Sequence, residues 1–361
     1  MEETELCFPQ LNTSCRKLKR PHSHTVLIYI VLSSIALLTA TLNLLVIISI
    51  SHFRQLHTPS NILLLSLAVS DFFVGLLMFS QVMLIEGCWY LSDLICVLYY
   101  VSNVIASSAA IGTMVLISVD RYVAICYPLH YSTKVTPKKA RICVSLCWIF
   151  SLIFVGMLLR DNLRQPGRYN SCAGECVVAA NFIEQVADLI LTFVIPITVI
   201  IVLYVRVFVV ALSQARAMRS HIAAVSLQCP GKAAVRKSEL KAATTLGVVV
   251  VAFLLCLCPY FCVTLTADDT LFNTSSAAIV ICLFYFNSCL NPIIYAFFYP
   301  WCRKSFKLIL TLQILKPGSC NANGNEASHG TFAKWLVDLR VDHSNLPEDE
   351  PVTITKAEIQ Q

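Results

Sequence analysis

Residues Asn181–Phe208 read NFIEQVADLILTFVIPITVIIVLYVRVF. The stretch exceeds the roughly 20 apolar residues that a helix needs to cross a bilayer, and Asp188 sits inside it, ahead of Pro196. An acid at the centre of a spanning helix costs about 2.5 to 3.5 kcal/mol on insertion scales, so it marks a polar interior, an ion path or a ligand. The rest of the chain is of the same kind. Hydrophobic residues make up 57% of the 361 and charged residues 13%, with mean hydropathy +0.71, a balance foreign to soluble domains of this length.

Stretches of spanning length fall near 25–50, 60–85, 94–119, 140–159, 182–208, 244–267 and 275–298. The expected fold class is an all-α membrane protein, a seven-transmembrane helix bundle. Pro259 and Pro292 lie within two of the spans, where neighbouring helices can satisfy the freed carbonyls. The loops after the first, third and fifth spans hold most of the Lys and Arg, among them Arg54, Lys134, Lys138, Lys139, Arg216, Lys232 and Lys237. Such loops favour the cytoplasm, which puts the N-terminus outside. CRKLKRP at 15–21 pulls the other way, and the glycosylation sequon at Asn12 supports the outside placement.

MEETELCFPQLNTSC is acidic and lacks the short apolar core of a cleavable signal peptide, so the first span is expected to act as its own insertion signal. From about Lys316 the chain turns polar, and PGSCNANGNEASHG reads as a flexible tail. The expected organisation is an extracellular segment over 1–24, the seven-helix domain over 25–310 and a cytoplasmic tail over 311–361. No internal repeat is visible, which argues against a transporter built from inverted halves.

Of the seventeen cysteines, six lie on the outer side: Cys7, Cys15, Cys88, Cys96, Cys172 and Cys176. Cys96 opens the third span and SCAGEC precedes the fifth, so a bridge from Cys96 to that loop would pin a lid over the bundle mouth. Counting alone does not decide the pairing. At the inner end of the third span, LISVDRYVAICYPLHY places Asp120 beside Arg121, and Glu239 offers a second anion from the sixth helix. Such a clasp can be bistable, since losing a carboxylate partner frees the Arg fork. The plainer reading is a snorkelling interfacial pair.

Motifs now accumulate, one per span. LNLLVI with Asn43, LAVSD with Asp71, DRY at Asp120–Tyr122, Trp148, Pro196 with Tyr204, Pro259, and NPIIY at Asn291–Tyr295 resemble the fingerprint of rhodopsin-like G-protein-coupled receptors. More narrowly, HFRQLHTPSN, CWY and NSCLNPIIYAFFYPWCRKSFKLIL are similar to the trace amine-associated receptors, over about residues 7–315. The resemblance implies a plasma-membrane receptor that takes a small amine from outside and activates a heterotrimeric G protein inside, of the stimulatory or olfactory class, with a rise in cyclic AMP. Arg121 would meet the G protein once Glu239 releases it, with Tyr122 completing the motif and Tyr204 and Tyr295 holding the open form. Pro196, Ile111 and Phe253 match the family's transmission contact. Residues 301–310 would form a short membrane-parallel helix whose Arg303, Lys304 and Lys307 suit anionic lipid headgroups. Bridges from Cys96 to Cys176 and from Cys15 to Cys172 are implied, leaving Cys7 spare.

Three departures stand against that pattern. Leu257 replaces the usual sixth-helix Trp, so the rotamer switch attributed to it cannot operate unchanged. Ala110 replaces a serine of the family's sodium pocket, of which Asp71, Asn287 and Asn291 remain. Eighteen positions before Arg121, about five helical turns outward, most amine receptors carry an aspartate, and this chain has Asn103. Asp188 lies about 12 Å outward of Pro196 at 1.5 Å per residue, at similar depth on the facing helix, and looks like a transplanted amine counter-ion, as in some fish branches of the family. The ligand set is then Asp188 with Asn103 and Ser107, and Tyr260, Phe261, Phe284 and Tyr285 as aromatic faces for an ammonium. Asp188 could instead pair with Arg160 or Arg164, or stand exposed beside Glu184.

Rival classes fare worse. A retinal-binding opsin needs a seventh-helix lysine, and there is none between Asn273 and Trp301. A pump or transporter would show more intramembrane acids than Asp71 and Asp188. No metal-spaced His/Cys set, phosphate loop or nucleophile motif suggests an enzyme, no cofactor is implied, and nothing favours nucleic acid as a partner. A rhodopsin-like receptor for a non-amine ligand is the alternative reading.

Overall fold

Thr-Pro pairs begin two of the spans, and the reason is local. Thr58 caps the second helix by accepting from the Asn61 amide at 3.3 Å, and Thr136 caps the fourth by accepting from the Lys139 amide at 3.3 Å. In each the following Pro occupies the first helical turn, where its missing N–H costs nothing. Gly87 ends the second helix in the left-handed region at φ 76°, a conformation that glycine adopts without steric cost.

The structure is a computed structural model and describes residues 5–17, 22–224, 247–248, 250–262 and 275–315. Helices His22–His52, Pro59–Glu86, Asp93–Cys126 and Pro137–Leu158 form the first four spans. The fifth runs as Phe182–Asp188, a wide π turn over Leu189–Val194, then Ile195–Ala224. The sixth is described over Val250–Cys262. The seventh is Ser275–Phe298, and Pro300–Leu310 follows as a separate short helix. Six of these helices are long and apolar enough to cross a membrane. With the shorter described part of the sixth they make the seven-helix bundle.

The third span packs against the second, fourth and fifth, and the first against the second and seventh. A continuous core joins Val46, Leu64, Leu67, Ile111, Met114, Ile200, Phe253, Leu257 and Tyr295. The outward faces are apolar too, for example Phe150, Leu152, Ile153 and Met157 on the fourth span, as lipid contact requires. Since apolar surface gains nothing by leaving lipid for another helix, polar bonds between helices carry the register. Asn43 Nδ2 donates to the Ser288 carbonyl at 3.0 Å, tying first to seventh. Trp148 Nε1 donates to Ser66 Oγ at 3.1 Å, and Ser66 meets Thr113 at 3.0 Å, which joins fourth, second and third.

Candidate ligand chamber and cytoplasmic switch

On the outer side, three disulfides fasten the N-terminal segment and the loop before the fifth span to the bundle: Cys96–Cys176, Cys15–Cys172 and Cys7–Cys88. Cys7 is therefore not spare. The six outer cysteines divide evenly into pairs, and that parity was the available signal. Backbone bonds reinforce the staples. Cys15 N donates to the Ala173 carbonyl at 2.9 Å, Ala173 N to Thr13 at 2.8 Å, and Trp89 N to Gly174 at 2.7 Å. Glu175 accepts from the Ser171 hydroxyl at 2.7 Å and from its amide. Burial opposes that charge, but the Ser171 bonds outweigh it and hold the Glu175 carboxyl below its ordinary value. Asn12 is exposed in a turn of this segment, and Asn273 lies outside the described residues.

Below the lid, Asp188 ends the first section of the fifth span, where Asn181 and Glu184 form a capping box. Glu184 is thereby turned to the helix start and away from its neighbour one turn inward. The Thr192 hydroxyl donates back to the Asp188 carbonyl at 2.7 Å, across the π turn. Asp188 is half-buried. Its Oδ1 is shut off from solvent with no hydrogen-bond partner among the described residues. Arg160 and Arg164 are exposed, and among the described residues neither forms an ion pair with Asp188.

Facing it, Tyr260 lies within electrostatic range of Asp188, Tyr285 and Tyr100. Its ring sits 4.7 Å from Phe284 and 5.5 Å from Phe261, Phe261 stacks on Phe193 at 4.2 Å, and Phe284 meets Tyr285 edge-on at 5.4 Å. Four sequence-named aromatics thus form one connected wall. Asn103 Nδ2 donates to Tyr285 Oη at 3.1 Å, and Ser107, one turn inward, is half-buried. Gln81 and Tyr99 complete this polar corner. Sequence reasoning missed both, because a lone Gln or Tyr in a span carries no periodic signal.

Beneath the chamber, Ile111, Phe253, Leu257 and Phe261 share one buried cluster, and Pro196 is buried on the fifth span. Leu257, at 4% exposure, fills the place of the usual ring. Deeper, Asp71 Oδ2 accepts from Asn291 Nδ2 at 2.8 Å while Oδ1 has no hydrogen-bond partner among the described residues. Asn287 and Ser288 are buried nearby in sequence on the seventh span.

At the cytoplasmic end, Asp120 is 6% exposed. Its Oδ2 accepts from Arg121 Nε at 3.1 Å and also from Arg121 Nη2. Ser60 Oγ donates to the same oxygen at 2.8 Å, and Tyr131 Oη donates to Oδ1 at 2.8 Å. Arg121 Nη2 also reaches Ser60 Oγ. This is more than a snorkelling pair, and Ser60 and Tyr131 were not legible beforehand because they come from other elements. Tyr122 packs on Tyr127 at 5.8 Å. Tyr204 lies within electrostatic range of Arg121, and the Tyr204 and Tyr295 hydroxyls are both buried without hydrogen-bond partners among the described residues. Glu239 lies outside the described residues. Arg303 donates to the carbonyls of Ala296 at 2.9 Å and Phe297 at 2.8 Å, so it caps the seventh span, while Lys304 and Lys307 are exposed.

A bundle of this kind, with an outer chamber and an inner Arg clasp, is the architecture of a membrane receptor. The family described as 7 transmembrane receptor (rhodopsin family) matches residues 42–295. Trace amine-associated receptor 8a of Rattus norvegicus is 40% identical over 87% of this chain and 95% of its own length. Trace amine-associated receptor 13c of Danio rerio is 38% identical over 89% and 96%, and trace amine-associated receptor 6 of Homo sapiens is 38% identical over 88% and 95%. The chain belongs to the trace amine-associated receptors of the rhodopsin family. It is a multi-pass membrane receptor and not an enzyme.

Proposed function

We propose that this receptor binds a small cationic amine entering from outside, with Asp188 as the counter-ion in place of the third-helix acid. The supporting observation is the Asp188 Oδ1 atom, closed off from solvent, without a donor, and not paired to Arg160 or Arg164 among the described residues. A carboxylate kept at membrane depth with one oxygen unpaired among the described residues, and only the neutral Thr192 hydroxyl beside it, calls for a cation. Tyr260, Phe261, Phe284 and Tyr285 supply ring faces suited to an ammonium, and the relatives' name, trace amine-associated, points the same way.

Ligand entry acts on the Ile111, Phe253 and Leu257 cluster below, where an aliphatic side chain replaces a ring and transmission rests on packing shifts. At the inner end Arg121 leaves Asp120 and Glu239 to meet a heterotrimeric G protein of the stimulatory or olfactory type, and Tyr204 and Tyr295, whose hydroxyls are unpaired among the described residues, receive it. The receptor sits in the plasma membrane and serves chemosensation. The N-terminus faces outside, in keeping with disulfides that form in oxidising compartments. A sodium ion, where bound, would be held by Asp71 Oδ1 with the Asn287 and Asn291 amides, would steady the resting bundle by its charge, and would gain no ligand from Ala110.

A panel of monoamines and diamines screened with a cyclic AMP reporter tests the reading. Truncating one member of a desolvated charge pair costs about 2 to 5 kcal/mol, a roughly 30-fold to several-thousandfold loss, so Asp188→Ala should silence amine responses at normal surface expression. Asn103→Asp should favour diamines. Unchanged potency in Asp188→Ala would show the carboxylate to be structural.

A further inference from the structure

Asn103 is held by a network that leaves one of its atoms unused. Tyr99 Oη donates to Gln81 Oε1 at 2.5 Å, and Tyr285 Oη donates to the same oxygen at 3.0 Å. A 2.5 Å separation is an O–H···O length, whereas an amide N–H donor sits near about 2.9 Å. Gln81 therefore turns its oxygen to the phenols. Each tyrosine has a single proton. The two hydroxyls also approach each other at 3.2 Å, but both protons go to the shorter Gln81 contacts, so Tyr285 Oη meets Asn103 as an acceptor, and Asn103 Nδ2 donates to it at 3.1 Å. Asn103 also lies within hydrogen-bonding reach of Tyr99, so the amide nitrogen faces both phenols and its oxygen is turned away from them. That oxygen, Oδ1, is buried and has no donor among the described residues.

Asp188 Oδ1 is in the same condition, and two neighbouring rings link the two side chains. Tyr260 lies within electrostatic range of both Asp188 and Tyr285, and Tyr285 anchors Asn103. One wall presents a negative acceptor and the other a neutral acceptor. A buried acceptor left unpaired is disfavoured, and a ligand N–H or O–H placed there removes the penalty. A second ammonium at Asn103 would meet a donor-seeking oxygen but no charge, and its desolvation would go uncompensated.

We propose that the preferred ligand is bifunctional, with an ammonium for Asp188 at one end and an uncharged hydrogen-bond donor, a hydroxyl or amide N–H, for Asn103 at the other. This rests on the amine reading of Asp188. The full-length receptor is purified, and its thermal stabilisation by ligand is measured with ω-amino alcohols, the corresponding ω-methoxy amines, plain alkylamines and α,ω-diamines over a series of chain lengths. At the best length the amino alcohol binds roughly tenfold or more tightly than its methoxy ether, and more tightly than the diamine. Asn103→Leu brings the amino alcohol down to the level of the ether, and Tyr285→Phe narrows the difference by releasing the amide. The comparison among ligands on the unaltered receptor stands even where a variant folds poorly. If ethers or diamines match the amino alcohols at every length while Asp188→Ala removes alkylamine binding, the donor preference is wrong and the counter-ion reading survives. Alkylamine binding that persists in Asp188→Ala overturns both.

Discussion

Tyr131→Phe removes one hydroxyl from the cytoplasmic clasp, and with it the bond to Asp120 and a 3.2 Å contact with Ser60 Oγ. Tyr131 Oη donates to Asp120 Oδ1 at 2.8 Å, and no other bond to that oxygen is seen among the described residues. Burial, with the Asp120 carboxylate beside it, pushes the Tyr131 hydroxyl above its ordinary value, so it remains a protonated donor throughout the physiological range. A hydrogen bond to a charged group is worth about 1.5 to 3 kcal/mol. Tyr131 is half-exposed and water can replace part of the bond, so about 1 to 1.5 kcal/mol is the working figure. If the bond exists in the resting arrangement and is lost when Arg121 is released, its removal shifts the resting-to-active ratio about five- to tenfold. Ligand-independent signalling, normalised to surface receptor over a range of expression levels, should rise accordingly. Asp120→Asn, which weakens the bonds from Ser60 and Arg121 as well, should raise it further. Basal signalling of Tyr131→Phe equal to the unaltered receptor, while Asp120→Asn is raised, would refute a restraining role for this bond.

Glu239→Gln should likewise raise ligand-independent signalling by removing a charge-assisted partner of Arg121, and an unchanged basal level at equal surface expression would mean that the lock is open at rest. A Cβ built at Gly75 lies 2.9 Å from the Ala40 backbone nitrogen, whereas at Gly112 it meets the rotatable Cys147 Sγ. Gly75→Ala should therefore lose about 1 to 3 kcal/mol of stability in detergent unfolding, more than Gly112→Ala does, and Cys147→Ala should restore Gly112→Ala but not Gly75→Ala. Non-reducing peptide mapping should recover Cys7 linked to Cys88, and an alkylated free Cys7 would contradict the third staple. Asn12, exposed in its turn, should carry glycan, so Asn12→Gln should abolish the glycosidase-sensitive gel shift.

The chain's own pattern determined its helical membrane class, because a span announces itself locally: some twenty apolar residues in a row. The anomaly of Asp188 was equally local, as was the absence of an acid at Asn103. Partner choice was not. That Asp120 binds Ser60 and Tyr131, that Cys7 reaches Cys88, and that Arg303 caps the seventh helix depend on which side chains the packed bundle brings within about 3 Å, and residues far apart in the chain carry no mark of one another. The direction of the Asn103 amide is the clearest case. Its sequence position shows an amide where an acid is expected, but only the assembled Gln81, Tyr99 and Tyr285 network decides which end of that amide remains for a ligand, because hydrogen-bond polarity is settled by counting protons among neighbours in space.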